Sequence, residues 1–275
     1  MNPLARALAD AARQLSQTSD TARLDAELLM AEALDIERDR LILDPPDRDP
    51  PDRFWAMVKR REAGEPVAYI TGRRAFWNIE LHVGPGVLIP RPDSEVLISA
   101  AIEHFEGSAG PRRVLDLGTG PGTLLLAALD LWPEASGIGV DFSLRALSYA
   151  QANARRLGLA ERARFGVGNW AENIDERFEL LLCNPPYVAR DEPLGSGVAE
   201  HEPAEALFAG PQGLDSIRAV APQVARLLAP GGLAAIEIGA SQGRAALDLL
   251  VRDGLGGRLV PDLAGHDRAV LLTWV

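Results

Sequence analysis

A chain of 275 residues, 47% hydrophobic and 24% charged, has the material for a packed core in one large domain, or in a medium domain beside a small one. No apolar run reaches the roughly 18 residues of a membrane-spanning helix, and the N-terminus "MNPLARALADAARQ" lacks the continuous apolar block of a secretion signal, so a cytoplasmic protein with no membrane partner is expected. The single cysteine, Cys183, excludes an internal disulfide; the four histidines (His82, His104, His201, His266) have no metal-ligand spacing, so no metal is expected; and the net charge of −11 opposes attraction to a polyanion.

Up to about residue 70 the pattern is helical. "SDTARLDAELLMAEALDI" offers Ser19 or Asp20 as a cap and Leu24, Leu28 and Ala31 along one face, and a second helix is expected through "PDRFWAMVKRREAG". Between them "LDPPDRDPPD" is too rich in proline to be helix. From residue 73, "RRAFWNIELHV" and "GVLIP" flank "GPG" and read as a β-hairpin turning at those glycines. Beyond Pro92 strands alternate with helices. Strands are expected at "RVLDLG", "SGIGVD", "RARFGVG", "FELLLCN", "LAAIEIG" and "RAVLLTWV", and helices at "TLLLAALDLW", "SLRALSYAQANARRLG", "GLDSIRAVAPQVARLLAPGG" and "QGRAALDLLVRDG". That alternation argues for a parallel sheet covered on both faces.

In doubly wound sheets ligands bind at the carboxyl ends of the strands, and the first strand-to-helix turn brings backbone closest to them. Here that turn is "DLGTGPG", residues 116 to 122, where Gly118, Gly120 and Gly122 remove side chains from the ligand's path. About twenty residues on stands Asp141, ending "GIGVD", whose carboxylate can accept both hydroxyl hydrogens of a ribose. A glycine loop with an acid at that distance signals an adenosine-containing ligand. Two cofactor classes fit: a dinucleotide fingerprint wants its third glycine where Thr123 stands, whereas glycine at every second residue after Asp116 suits S-adenosylmethionine.

"NPPY", residues 184 to 187, ends the fourth strand of this half, so it should face the same crevice. Prolines donate no backbone hydrogen bond, which leaves the Pro185 carbonyl free to accept one beside the Asn184 side-chain oxygen. Two adjacent acceptors hold an NH₂ group, and the ring of Tyr187 can pack on a planar amide and tolerate charge developing on nitrogen. The pattern describes methylation of a planar, poorly nucleophilic NH₂, driven by alignment and electrostatics with no dedicated general base. Cys183 reads as a small buried strand residue rather than a nucleophile. The clusters Lys59-Arg60-Arg61 and Arg73-Arg74 read as solvated surface.

These motifs together resemble class I S-adenosylmethionine-dependent methyltransferases and, within them, the N5-glutamine methyltransferases of peptide chain release factors, the HemK/PrmC family. The resemblance runs along nearly the whole chain, through "EPVAYITGRRAFW", "VLIPRPDSE", "DLGTGPG", "GNW", "NPPYV", "EHEPAEALFAGPQGLD" and "DLAGHDRAV". It implies an α/β fold: a doubly wound, mostly parallel seven-stranded sheet, with a small helical substrate-docking domain over residues 1–72 and a hairpin over 73–90 before a methyltransferase domain over 91–275. It also implies that Asp116, the loop of Gly118, Thr119, Gly120, Pro121 and Gly122, and Asp141 bind S-adenosylmethionine, with Trp170 near the adenine and Arg91 and Pro92 bordering the pocket. Asn184, shared with the cofactor, and Pro185, Pro186 and Tyr187 would contact the substrate, with catalysis resting on Asn184, Pro185 and Tyr187. The implied acceptor is the glutamine of the Gly-Gly-Gln loop of a class I release factor, met by a monomer with no direct nucleic-acid partner. Related amino-methyltransferases offer other acceptors, a glutamine of a large-subunit ribosomal protein or a nucleic-acid base.

Overall fold

A computed structural model describes residues 2–195, 197–262 and 264–275. The chain divides into two compact units, one of residues 1–73 with 194–201, the other of residues 74–193 with 202–275.

The first unit is helical: α1 (Pro3–Leu15), α2 (Ala22–Leu34), α3 (Arg38–Leu43), α4 (Asp52–Glu62), α5 (Val67–Thr71) and the short α9 (Val198–His201). Pro3 sits at the first turn of α1, and Asn2 Oδ1 accepts the Leu4 N–H at 2.8 Å, satisfying a donor the helix itself cannot pair. Leu4, Leu8, Leu15, Leu29, Met30, Phe54 and Val58 form the core. Thr21, not Ser19 or Asp20, holds the N-cap position of α2 and makes no side-chain cap bond, because the Ser19 and Thr21 hydroxyls both donate to Asp25. The buried face only partly matches the expected one: Ala31 is covered, but Leu28 is half-buried and Leu24 is 40% exposed, while Ala26, Leu29, Met30 and Ala33 are covered too, since α2 packs against α1, α4 and α5 at once. As expected, no helix crosses the Pro-Asp linker between α3 and α4. The basic cluster is not simply solvated. Arg61 Nε donates to buried Asp25 at 2.7 Å, Arg60 pairs with Glu65, and Arg73 pairs with Glu32.

From the last residue of the first unit onward, a hairpin pairs β1 (Arg73–Phe76) with β2 (Ile79–His82). Its turn is at Trp77 and Asn78, and "GVLIP" is not a strand. Trp77 supplies the left-handed conformation that a two-residue hairpin turn demands, at φ +53°, whereas Gly84 to Gly86 form a separate turn closed by Val87 N to Gly84 O. A 3-10 turn (Pro92–Ser94) leads into α6 (Glu95–His104).

The main sheet contains β3 (Arg113–Leu117), β4 (Ser136–Asp141), β5 (Ala163–Val167), β6 (Phe178–Cys183), β7 (Leu228–Glu237), β8 (Leu255–Pro261) and β9 (Asp267–Trp274), in the order β5-β4-β3-β6-β7-β9-β8. Pairing is parallel except around β9, which is antiparallel to both its neighbours. Strand β8 has no counterpart among the six strands that the sequence pattern predicts, because Gly256, Gly257 and Arg258 break any apolar alternation. Strand β7 starts earlier than "LAAIEIG": Leu228 already pairs with Phe178, and the Pro-Gly-Gly expected to close a helix forms an irregularity inside the strand. Helices α7 (Thr123–Leu131), α8 (Leu144–Arg156), α10 (Asp215–Leu227) and α11 (Gly243–Leu250) flank the sheet. Leu115, Leu117, Phe178, Leu181, Ile236 and Val270 pack with Ile217, Val220 and Val224 of α10. Each such side chain contributes roughly 1.5–3 kcal/mol by burial.

The strand order reverses between β3 and β6: the chain runs outward through β4 and β5, then returns to lay β6 on the other side of β3. At such a switch point the connections diverge and leave a crevice at the carboxyl ends of the two strands. The glycine loop follows β3 and "NPPY" follows β6.

Candidate active site

A cleft of about 240 Å³ opens at this switch point. Of the residues singled out in the sequence, Arg91, Asp116, Gly118, Thr119, Gly120, Pro121, Asp141, Trp170, Asn184 and Pro186 line it. Pro185, Tyr187 and Gly122 are not among its lining residues.

The loop after β3 needs its glycines. Gly118, Gly120 and Gly122 have φ of +71°, +56° and +90°, a region that side-chain-bearing residues enter only with strain. A Cβ on Gly118 would sit 3.6 Å from the Trp170 ring and 3.8 Å from the Asn184 carbonyl oxygen, so the loop, Trp170 and the start of "NPPY" converge there. Gly122 serves the helix instead, starting α7 with its backbone close against Leu126.

Two carboxylates hold this loop. Asp116, at the end of β3, accepts from Thr119 Oγ1 at 2.6 Å and the Leu125 N–H at 3.2 Å through Oδ2, while its buried Oδ1 has no partner among the described residues. Burial pushes its carboxyl up to about 7. Asp141 accepts from the Gly120 N–H at 2.9 Å and the Ser143 N–H at 2.8 Å, one on each oxygen. Burial raises this carboxyl as well, against the pull of those bonds. Asp141 therefore ties the tip of β4 to the glycine loop and retains lone pairs on both oxygens. Fully buried Asn153 of α8 adds a tie that the sequence does not reveal. Its Nδ2 donates to His82 O at 3.0 Å and Pro121 O at 2.9 Å, and its Oδ1 accepts the His82 N–H at 2.7 Å.

On the other side of the switch point, Asn184 Nδ2 donates to Ser94 Oγ at 2.9 Å. The chain beyond it is clamped: Val188 pairs with Leu207 and Ala209, and the Tyr187 carbonyl accepts Gln242 Nε2 at 2.9 Å. Gly213 lets that carbonyl approach, for a Cβ there would lie 2.1 Å from it. The Tyr187 hydroxyl faces Glu237, and burial raises its pKa far above the ordinary phenol value. Arg91 lines the cleft with its guanidinium paired to Glu202, a buried acid that also accepts the Ile89 N–H at 3.0 Å. Cys183 is fully buried, as expected, with its thiol pushed up by burial. Ser94, Asn153, Glu202, Gln242 and Glu237 are not recognisable in the sequence as site residues. Only the "EHEPAEALFAGPQGLD" and "PRPDSE" segments, taken whole, hint at two of them.

Residues 111–248 match a family model described as a methyltransferase domain, and residues 6–72 match the PrmC N-terminal domain. A ribosomal protein L11 methylase from Lactobacillus delbrueckii subsp. bulgaricus shares the fold, with a TM-score of 0.52 at 19% identity over 70% of this chain and 84% of that one. The fold and the matched domain define a class I methyltransferase, an enzyme whose cofactor is S-adenosylmethionine. A release factor glutamine methyltransferase of Cereibacter sphaeroides is 43% identical over 258 residues, covering 91% of each chain. Another, of Rhodospirillum rubrum, is 41% identical over 255 residues, 90% of this chain and 78% of the relative. The chain belongs to the release factor glutamine methyltransferase family.

Proposed function

We propose that this enzyme transfers a methyl group to the side-chain amide nitrogen, N5, of the glutamine in the Gly-Gly-Gln loop of class I peptide chain release factors. The orientation of Asn184 carries the reading. With Nδ2 committed to Ser94, Oδ1 is left as an acceptor on a residue that lines the cleft, and the carbonyl of Pro185, a buried residue outside that lining, is absent from the backbone hydrogen bonds among the described residues. A glutamine amide has two N–H donors to place on two such acceptors.

The residues present fit the cofactor. Asp116 Oδ1 is a buried acceptor in need of a donor or a cation, Asp141 keeps lone pairs for ribose hydroxyls, and the glycine loop admits the ligand against backbone. Trp170, held at φ +56°, supplies an apolar wall for the adenine. When bound, S-adenosylmethionine supplies a sulfonium methyl for in-line displacement by the amide nitrogen. The protein's own residues then do three things. Asn184 and Pro185 hold the amide plane and its lone-pair direction. The cleft walls exclude water. The acceptors stabilise the N–H groups as positive charge develops on nitrogen, so that binding strengthens toward the transition state. No side chain takes the proton in the transfer; it leaves to solvent after the methyl has moved.

The helical unit of residues 1–73 serves in this reading to dock the release factor, a folded partner, and the enzyme works as a cytoplasmic monomer. Among the described residues no helix is long and apolar enough to cross a membrane. Asn184→Ala tests the core of the reading. It should lower kcat by about 10²- to 10³-fold, the usual cost of removing one positioned charge-stabilising group, while the cofactor dissociation constant stays within a few-fold. Full activity in that variant would end the proposal.

A further inference from the structure

Glu237 is the most deeply buried acid near the cleft, and nothing in the transfer scheme above employs it. It ends β7 at 0% exposure, and neither carboxylate oxygen has a hydrogen-bond partner among the described residues. Among the groups that act on it are the hydroxyls of Ser94 and Tyr187. An uncompensated carboxylate at such depth is costly, so its presence calls for a reason.

The neighbours supply one. Cys183 of β6 lies opposite Ile236 of β7, so Asn184 and Glu237 are the next residues along the two paired strands. Ser94 is 2% exposed and its Oγ receives Asn184 Nδ2 at 2.9 Å. A primary amide has nearly the same shape either way round, and a serine hydroxyl can donate or accept. A carboxylate only accepts. With Glu237 ionised, the single Ser94 proton is directed to it, so Ser94 presents a lone pair to Asn184, and only Nδ2 can satisfy that. Oδ1 must then face the cleft.

We infer that Glu237 is a positioning residue for methyl transfer: acting through Ser94 it sets which end of the Asn184 amide faces the substrate, and through the Tyr187 hydroxyl it latches the other end of the same four-residue motif. This rests on the role proposed for Asn184.

The relay is sensitive to protonation. Facing Glu237 are Arg268 of β9, Asp93 of the turn before α6, the Tyr187 phenol and the Cys183 thiol. Arg268 favours the ionised form but is shared with Asp93 at 3.2 Å and Asp262 at 3.0 Å. Burial outweighs it and pushes the Glu237 carboxyl up to about 7. Once protonated, Glu237 can donate to Ser94, which frees the serine proton to point at Asn184 and reverses the amide. Transfer should therefore fail on the acid side of neutrality even with cofactor bound.

The test measures kcat and KM across about pH 5.5 to 9, at saturating S-adenosylmethionine, for methylation of a purified class I release factor. It compares wild type, Glu237→Gln, Ser94→Ala and the double variant, with the cofactor-induced rise in Tm as the check that each is folded. Wild type should show an acid limb in kcat with its midpoint near 7. Glu237→Gln should lie about tenfold to a hundredfold lower at pH 8 and lack the limb, with the cofactor-induced shift retained. Ser94→Ala should behave alike, and the double variant should be no worse than either, because both cut one chain of contacts. A folded Glu237→Gln that keeps the acid limb, losses that multiply in the double variant, or a folded Ser94→Ala with wild-type kcat overturns the relay and leaves the proposed function standing. Absence of methyl on the release factor glutamine with the wild-type enzyme removes both.

Discussion

Asp141 does two jobs at once, and that governs what its loss should do. It fastens the Gly120 and Ser143 N–H groups and offers its remaining lone pairs to the cleft. Asp141→Ala should raise the dissociation constant for S-adenosylmethionine by about tenfold to a hundredfold, since it removes charge-assisted bonds and frees the loop. Unchanged affinity by calorimetry would refute the ribose role. Glu237 carries a stability cost whose sign follows from its titration. A carboxyl raised in the folded state from 4.5 to about 7 binds more protons folded than unfolded between those values. Stability is therefore lost as pH rises through that window and stays lost above it. Glu237→Gln should stabilise the protein by about 3 kcal/mol at pH 8, narrowing toward zero near pH 4.5, by denaturant melts. A gap that ignores pH would contradict this. Asn184, Gly118 and Asp141 are legible in the sequence because each answers a local demand, an acceptor at a strand end, a positive φ or an acid at a set distance. Ser94 and Glu237 are not, because Ser94 meets Asn184 across 90 residues of chain and only the folded sheet brings either one there.

At the scale of elements, α8 and the hairpin share responsibility for the cofactor loop through Asn153. Asn153→Ala leaves the His82 backbone groups and the buried Pro121 carbonyl without their partner. The cost should be about 3 kcal/mol of folding stability with weakened cofactor binding, and a denaturant midpoint equal to wild type would show that the tie is idle. The strands that carry the site, β3, β4, β6 and β7, are readable as apolar runs bounded by polar or glycine residues, since parallel strands are buried on both faces. Strand β8 sits at the sheet edge, where glycines and an arginine are tolerated, and it leaves no periodic signal. The sequence misplaces the hairpin turn because Gly84 and Gly86 are the residues a turn usually uses, whereas the actual one is made by a tryptophan in a left-handed conformation. The buried face of α2 escapes for a related reason: a helix covered on several sides has no single apolar stripe to read.

For the whole molecule, the reversal of strand order places the glycine loop and "NPPY" at one crevice whatever their separation in sequence. The doubly wound sheet and the cofactor class follow from strand-helix alternation and glycine spacing. The partner does not, since nothing in one chain's periodicity encodes the surface of another, and it rests on family resemblance and on the cleft's fit to an amide. The net charge of −11 favours a protein acceptor over a nucleic acid. The most direct measurement is mass spectrometry of three purified acceptors incubated in parallel with the enzyme and S-adenosylmethionine: a class I release factor, a large-subunit ribosomal protein and a DNA duplex. One added methyl on the glutamine of the Gly-Gly-Gln loop, absent with Asn184→Ala and absent from the other two acceptors, is the predicted result. A methyl on the ribosomal protein or the DNA, with the release factor unmodified, would contradict the proposed function.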